Sequence, residues 1–543
     1  MTDARPSTVV IGQVLLAAGR DGVETAEAIG IAGGRVVMAG RADEVRAGAA
    51  AGARVIDAGS AAVVPGIHDF HLHLVGMARE RSDLALDGAA DFAGLLARVA
   101  VAARRSGEGD WLRGGGWSEA VMRSGDATLL AEVATNRPCL LYSHDRHSAW
   151  ASPAALTAAG ISAETPDPPG GRIERDATGR LTGVLRERAA DLVEAVAGRL
   201  HAPVLEAALD EVVGALLSLG ITGATDAGDT TASNGIGEHA FLGDRASRLL
   251  AAASRLDGRL RLTLNVPAEA IDAVARIGWR TGMLIPGRQT LSCGWAKVYA
   301  DGALGSHTAA VLAPYPGGND RGMLRLEPSA LAEVTQRARA SRIGLAVHAI
   351  GDRAVATVLD ALAAAPARAG GTPPDRIEHL QLVRPADFAR LAGLGVTASV
   401  QPVHAASDRA LVDSLWAGSA STAYPWRSIA TAGGRLAFGS DAPIESANPW
   451  IGLFAAVHRR SPGDGTPDWR PEEATTAAQA LAAYTVGPAL AMGRRDEGHL
   501  RVGAVADVAI LNVDLATLLA ADERLTEVRS DLTVVGGREV HRS

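Results

Sequence analysis

The chain reads as an α/β protein built on a (β/α)8 TIM-like barrel, with a composite β-sandwich drawn from both termini and an insertion after barrel strand one. Three observations carry that reading. Between residues 65 and 489, short apolar runs alternate with alanine- and leucine-rich helical segments, the pattern of parallel strands joined by crossover helices. Eight such runs are found, at 63–74, 222–226, 260–266, 294–300, 344–348, 376–380, 396–401 and 436–440. Polar residues (His348, His379, Gln401, and Asp441 just beyond the last run) sit at the trailing ends of these strands, the end at which barrels assemble their sites.

The opening run, Val63-Val64-Pro65-Gly66-Ile67-His68-Asp69-Phe70-His71-Leu72-His73-Leu74, sets the chemistry. Taken as a strand, it points His71 and His73 to one face and Phe70, Leu72 and Leu74 to the other, where covering helices bury them. Two imidazoles converging on one point serve a metal ion and have no use in an apolar core.

Residues 7–60 read as short strands broken by glycines, Thr8 to Ile11, Gln13 to Leu16, Ala28 to Ile31 and Arg35 to Met38. The far end has the same texture at His499 to Gly503, Asp507 to Leu511 and Leu532 to Val535. Neither end has enough strands for a stable sheet, so the two are expected to pair as one domain, 1–64 with 490–543, around a barrel domain at 65–489. The first two barrel strands are separated by about 80–215, too long for a simple connection. That segment holds the stretches Asp110 to Trp117 and Asp145 to Trp150, and reads as a subdomain folded over the barrel mouth.

With 543 residues, 47% apolar and 21% charged, the chain falls among globular proteins, and its net charge of −8 lacks the basic tracts a nucleic-acid partner requires. The apolar run Val9 to Gly19 contains Gln13, has no basic leader and is too short to span a bilayer, so no membrane partner is expected. Two cysteines, Cys139 and Cys293, make no disulfide framework, which fits a reducing cytoplasm. Of the 53 basic residues, 52 are arginine; the only lysine is Lys297, on the fourth barrel strand. A lysine kept against such a bias points to amine chemistry that guanidinium cannot do: carboxylation, a Schiff base or general base catalysis.

The candidate constellation is therefore His71 and His73 on strand one, Lys297 on strand four, His348 on five, His379 on six and Asp441 after eight. Each has a plain alternative: a lone histidine is often hydrogen-bonded structure, and Asp441 within Gly439-Ser440-Asp441-Ala442-Pro443 is also a good turn residue. The ordered set, one end of one barrel, is what points to a metal site.

These motifs resemble those of the amidohydrolase superfamily, in particular its YtcJ-like branch, which includes N-substituted formamide deformylases. The resemblance rests on Pro65-Gly66, Asp69-Phe70-His71-Leu72-His73, Lys297 to Ser306, His348-Ala349-Ile350-Gly351-Asp352, Arg376-Ile377-Glu378-His379, Ser399 to His404, and Gly439 to Pro443. It implies one or two divalent metals, zinc first among them, held by His71, His73, an N-carboxylated Lys297, His348, His379 and Asp441. It also implies Asp441 as proton shuttle, a neutral donor such as His404 or His147 on the substrate carbonyl, and a homodimer. The implied activity is metal-dependent hydrolysis of an amide C–N bond, of an N-substituted formamide or N-acyl amine. An esterase, lactonase or carbamate hydrolase is the nearest rival, a lysine Schiff-base lyase a further one, and a metal-free interaction scaffold the non-enzymatic one. Two departures bear on the substrate: Arg146 stands where relatives carry glycine, and His307 where they carry arginine.

Overall fold

The computed structural model describes the chain except residues 1–3, 82, 106, 108–110, 123–126, 198–201, 229–253 and 420–421, so Asp110 lies outside the described residues. Eight parallel strands run in chain order around the barrel: Ile67–Leu72, Ile221–Asp226, Arg261–Pro267, Leu291–Tyr299, Leu345–Ala349, Arg376–His379, Thr397–Val400 and Arg435–Phe438. Each falls within a few residues of its predicted run. The ends close just beyond the last strand, where Asp441 N donates to His71 O (2.7 Å) and Ser440 N to Asp69 Oδ1 (3.0 Å). Gly439 is required at this seam, because a Cβ there would lie 2.4 Å from His71 N.

The opening run is two strands rather than one. Arg54–Pro65 belongs to the terminal sheet and Ile67–Leu72 to the barrel, while His73 already caps the helix Leu74–Glu80. The first barrel strand is also irregular. Ala224 stands opposite Asp69 but Asp226 opposite Leu72, so one extra residue is accommodated on the first strand. Such a bulge reverses the in–out alternation. Phe70 consequently does not face the helices as expected. It packs with Trp295 of strand four, Ala346 of strand five and Ala437 of strand eight, a combination available only inside the barrel. Its ring meets Trp295 edge-on at 5.6 Å, and the Arg376 guanidinium lies 3.8 Å from its centroid. Leu72 and Leu74 do join the large apolar cluster that contains Leu209, Val212 and Leu216 of the helix Ala202–Ser218.

Both chain ends pair in a seven-stranded sheet, ordered Arg538–Arg542, Ser530–Val535, Val508–Leu511, Arg54–Pro65, Thr8–Gly19, Gly22–Ala32, Arg35–Gly40. Val63, Val64 and Pro65 face Ile510, Ala509 and Val508 in antiparallel register. The sheet folds over until its edges touch, a Cβ on Gly34 falling 2.7 Å from Gly536 O, and encloses Val14, Ile29, Val36, Val508 and Val534. This is the composite sandwich. Two details differ from expectation. Thr8 to Leu16 is one strand carrying bulges, and 499–503 is a loop, held by Leu500 N to Leu16 O at 2.7 Å.

The inserted segment forms a six-stranded sheet, ordered Gly171–Arg175, Leu181–Glu187, Ser148–Ala151, Cys139–Ser143, Leu112–Trp117, Leu84–Ala85. Its helix Phe92–Arg105 buries Leu95, Val99 and Ala103, one stripe at helical spacing, against Trp117 and Trp150. The expected end near 215 falls inside the helix Ala202–Ser218, which packs with the barrel cluster instead. Among the described residues, no helix is long and apolar enough to cross a membrane.

Two predictions follow from this packing. Phe70→Ala leaves a void against Trp295 and is expected to destabilise the fold by about 3–5 kcal/mol, seen as a lowered thermal midpoint. Cys139 and Cys293 are both buried and unpaired, and burial pushes each thiol up to about 12. At pH 8 only about one thiol in 10⁴ is ionised, so native protein should resist a disulfide-exchange reagent that titrates both thiols after denaturation.

Candidate metal centre and active site

The trailing ends of the barrel strands bring one atom each of His71, His379 and Asp441 within 4.8 Å of one another, all three residues buried. His71 Nε2 faces Asp441 Oδ1 at 3.3 Å, and His73 Nε2 reaches the same oxygen at 3.2 Å. His348 borders this group, its ring centroid 4.5 Å from that of His379, and Lys297 lines the same cavity, with Nζ 4.9 Å from the Tyr299 ring centroid. The structure thus gathers all six predicted residues around one point, three in the tight group and three at its border.

Partners fix how the imidazoles present themselves. Glu378 Oε2 accepts from His71 Nδ1 at 2.6 Å, so Nε2 is the nitrogen turned toward Asp441. Gly302 O accepts from His348 Nε2 at 3.0 Å, leaving Nδ1 unprotonated in the neutral ring. Gln401 Oε1 lies 2.9 Å from His379 Nδ1. Burial and neighbouring cations hold His348 and His379 well below the usual histidine range, so both rings are neutral. Burial pushes the Asp441 carboxyl upward, but the histidines around it, His71 first and then His404 and His73, outweigh it and hold it well below the usual carboxylate range. Neutral imidazole and carboxylate are the forms in which these side chains bind metals.

His71 Nε2 and Asp441 Oδ1 are fully buried yet have no hydrogen-bond partner among the described residues. Leaving two such atoms unmet in a protein interior costs roughly 1–3 kcal/mol each. A divalent cation between them satisfies both, and the donor set of imidazole nitrogen and carboxylate oxygen suits zinc, with iron, manganese and cobalt as alternatives. The residues fit the ion the motifs imply.

His404 and His147, the two expected donors, both line the cavity. His404 Nε2 lies 3.1 Å from Asp441 Oδ2, and its Nδ1 lies 3.7 Å from Glu445 Oε1. Burial lowers its pKa, but the flanking carboxylates win and push it up to about 10. His147 Nδ1 lies 3.0 Å from Glu187 Oε2, and that carboxylate overcomes burial to raise it too. The carboxylate partners of both rings come from distant elements and had no local signal in the sequence.

The cavity of about 530 Å³ in front of this group is walled by the barrel and by the inserted subdomain, including Trp117, Arg146, His147 and Glu187. Arg146 sits at φ 58°, a left-handed conformation that explains the glycine of relatives, and its guanidinium lies 5.8 Å from the Tyr142 ring centroid. His307 is exposed, stacks on Tyr315 at 5.5 Å and is not among the residues lining the cavity, so that departure does not shape it. Sequence reasoning missed Glu378, Arg376 and Glu187. The first two lie inside the quoted Arg376-Ile377-Glu378-His379 motif, where same-face spacing was the available clue.

A parallel barrel whose strand ends gather histidines and an acid defines a metal-dependent hydrolase. The model of the Amidohydrolase family matches residues 54–541, and the chain belongs to that family, a hydrolase acting on carbon–nitrogen bonds. It is 30% identical over 498 residues to "Putative amidohydrolase YtcJ" of Bacillus subtilis (strain 168), covering 90% of each chain. It is 31% identical over 537 residues to an N-substituted formamide deformylase of Arthrobacter pascens, covering 95% of this chain and 96% of that one. Among solved structures, a metal-dependent hydrolase from Pyrococcus furiosus superposes with a TM-score of 0.70 at 26% identity, covering 93% of this chain and 99% of the other.

Because Glu378 orients His71, Glu378→Gln should weaken metal binding by about 10–100-fold, measured by competition with a chromogenic chelator.

Proposed function

We propose that the protein hydrolyses the amide C–N bond of an N-substituted formamide or N-acyl amine, with one or two divalent ions, zinc in the first instance, held by His71, His73, Lys297, His348, His379 and Asp441. The observation that carries this reading is the pair of buried, unpartnered atoms, His71 Nε2 and Asp441 Oδ1, 3.3 Å apart at the floor of a cavity. The formamide deformylase at 31% identity over almost the whole chain supports the choice of amide.

A bound divalent ion supplies Lewis acidity and lowers the pKa of a coordinated water to about 7. Lys297 Nζ, adding to carbon dioxide with loss of a proton to solvent, would become a carbamate whose single negative charge is shared by two oxygens, which arginine cannot provide. Asp441 accepts the proton of the attacking water and returns it to the leaving amine as the C–N bond breaks, yielding a carboxylic acid and an amine. His404 and His147 donate to the carbonyl oxygen as negative charge develops on it. The inserted subdomain walls off the cavity, so bulk water is kept from the polar contacts inside. We further propose a small-molecule substrate, no nucleic-acid or membrane partner, a cytoplasmic location consistent with two buried free thiols, and a homodimer.

The test is elemental analysis of purified protein, followed by chelation, reconstitution with zinc, manganese, iron or cobalt, and a screen of formamides, acyl amides, esters, lactones and carbamates. Metal-dependent release of amine is expected, and turnover of esters alone overturns the amide assignment. In the same assay Asp441→Asn should lower turnover by at least about 10²-fold while metal content stays largely unchanged. Full activity in that variant removes Asp441 from proton transfer.

A further inference from the structure

We infer that Glu187 is a positioning residue for catalysis, one carboxylate that aims His147 into the cavity and in the same contact clamps the inserted subdomain to the barrel. The inference rests on the amide-hydrolase reading above for the role of His147, and goes beyond it in naming what holds that ring.

Glu187 ends the strand Leu181–Glu187 of the inserted sheet, and its side chain is wholly buried, at 0% exposure. A lone buried carboxylate is costly, so its partners matter. His147 Nδ1 approaches both oxygens, at 3.1 and 3.0 Å, and Glu187 N donates to His147 O at 2.8 Å. From the barrel side, Thr308 Oγ1 donates to Oε1 at 2.6 Å and Arg325 Nη1 to Oε2 at 3.0 Å. Both barrel donors belong to the long connection after strand four, the strand that carries Lys297. Arg325 also lies 4.7 Å from the Tyr299 ring centroid, so the clamp continues to the end of that strand.

Two backbone features show that this contact is built. Glu187 has φ 52°, a left-handed conformation that strains a side-chain-bearing residue and persists only where its surroundings fix it. Gly302 is required opposite, since a Cβ there would fall 2.2 Å from Glu187 Oε1 and 2.0 Å from Thr308 Oγ1. Gly302 O in turn accepts from His348 Nε2, and the His147 and His348 rings lie 5.1 Å apart. With Nδ1 taken by Glu187, Nε2 is the nitrogen His147 has left for the cavity it lines. A bidentate acceptor fixes both the tilt and the protonated nitrogen of an imidazole.

Glu187→Gln preserves shape but turns one oxygen into a donor. Whichever oxygen that is, His147 and one barrel donor lose an acceptor. The expected result, on a formamide or acyl amide, is a fall in kcat of about tenfold or more, with KM and metal content within about twofold. In a cycle with His147→Gln, the double variant should be no slower than His147→Gln alone, because both changes remove one function. Unchanged kcat, or losses that multiply, overturns the inference and leaves Glu187 structural. Should Glu187→Gln fail to fold, Glu187→Asp enters the same cycle, its shorter reach withdrawing the acceptor from His147, under the same two criteria. An activity-independent readout separates this inference from the functional reading. In metal-free protein, the hydrogen-bonded His147 Nδ1 proton, identified by NMR through its loss in His147→Gln, should move upfield in Glu187→Gln, where a neutral amide oxygen replaces the charged bidentate acceptor. An unchanged resonance overturns the inference even if no amide is turned over.

Discussion

An ion pair inside the barrel is the constraint on which the rest depends. Arg376 and Glu378 are each 0% exposed, and burying two charges is tolerable only if their geometry is nearly complete. Arg376 donates to both Glu378 oxygens, to Phe70 O and to Ser399 Oγ, and its guanidinium lies 3.8 Å from the Phe70 ring centroid and 5.1 Å from that of Trp295. One guanidinium thereby ties strands one, six and seven together below the site. It also receives the carbonyl displaced by the strand-one bulge. Glu378 passes the constraint upward to His71, so the imidazole is aimed by the same contact that fills the barrel.

The second layer of organisation comes from the insertion. A barrel presents an open rim, and here a separate sheet with its own apolar clusters supplies the facing wall. Polar groups in that wall and on the barrel rim facing it are paired with one another. Glu194 takes Arg79, Arg113 and Tyr142, while Glu445 takes His404 and Ser407. A charged wall satisfied in this way keeps its shape, and its donors cost little to reorganise when charge develops nearby.

Much of this was legible in the sequence. The barrel strands were, because each is a short apolar run bounded by turns and the alternation with helices is regular. So was the placing of the six candidate residues at one end of the barrel, because each sits at the trailing end of its strand or just beyond it. What escaped notice arises from register and from distance. A single extra residue near Phe70 reverses which side chains point inward, and nothing in the local run marks it. Glu187 and His147 are separated by a hairpin and a connecting segment, and Thr308 and Arg325 lie beyond three barrel strands, so no window contains them together. Glu445 was likewise not foreseen beside His404, since it lies in the next strand's loop.

The terminal sheet has a consequence for how the chain is made. Arg54–Pro65 pairs with Val508–Leu511, so a strand synthesised early waits until nearly all the barrel has been made. Through that interval its outer edge is open to unwanted partners. Residues 508–511 close the sheet like a zipper only after the barrel strands exist, and a truncation before them exposes the Arg54–Pro65 edge even when the barrel rim is assembled.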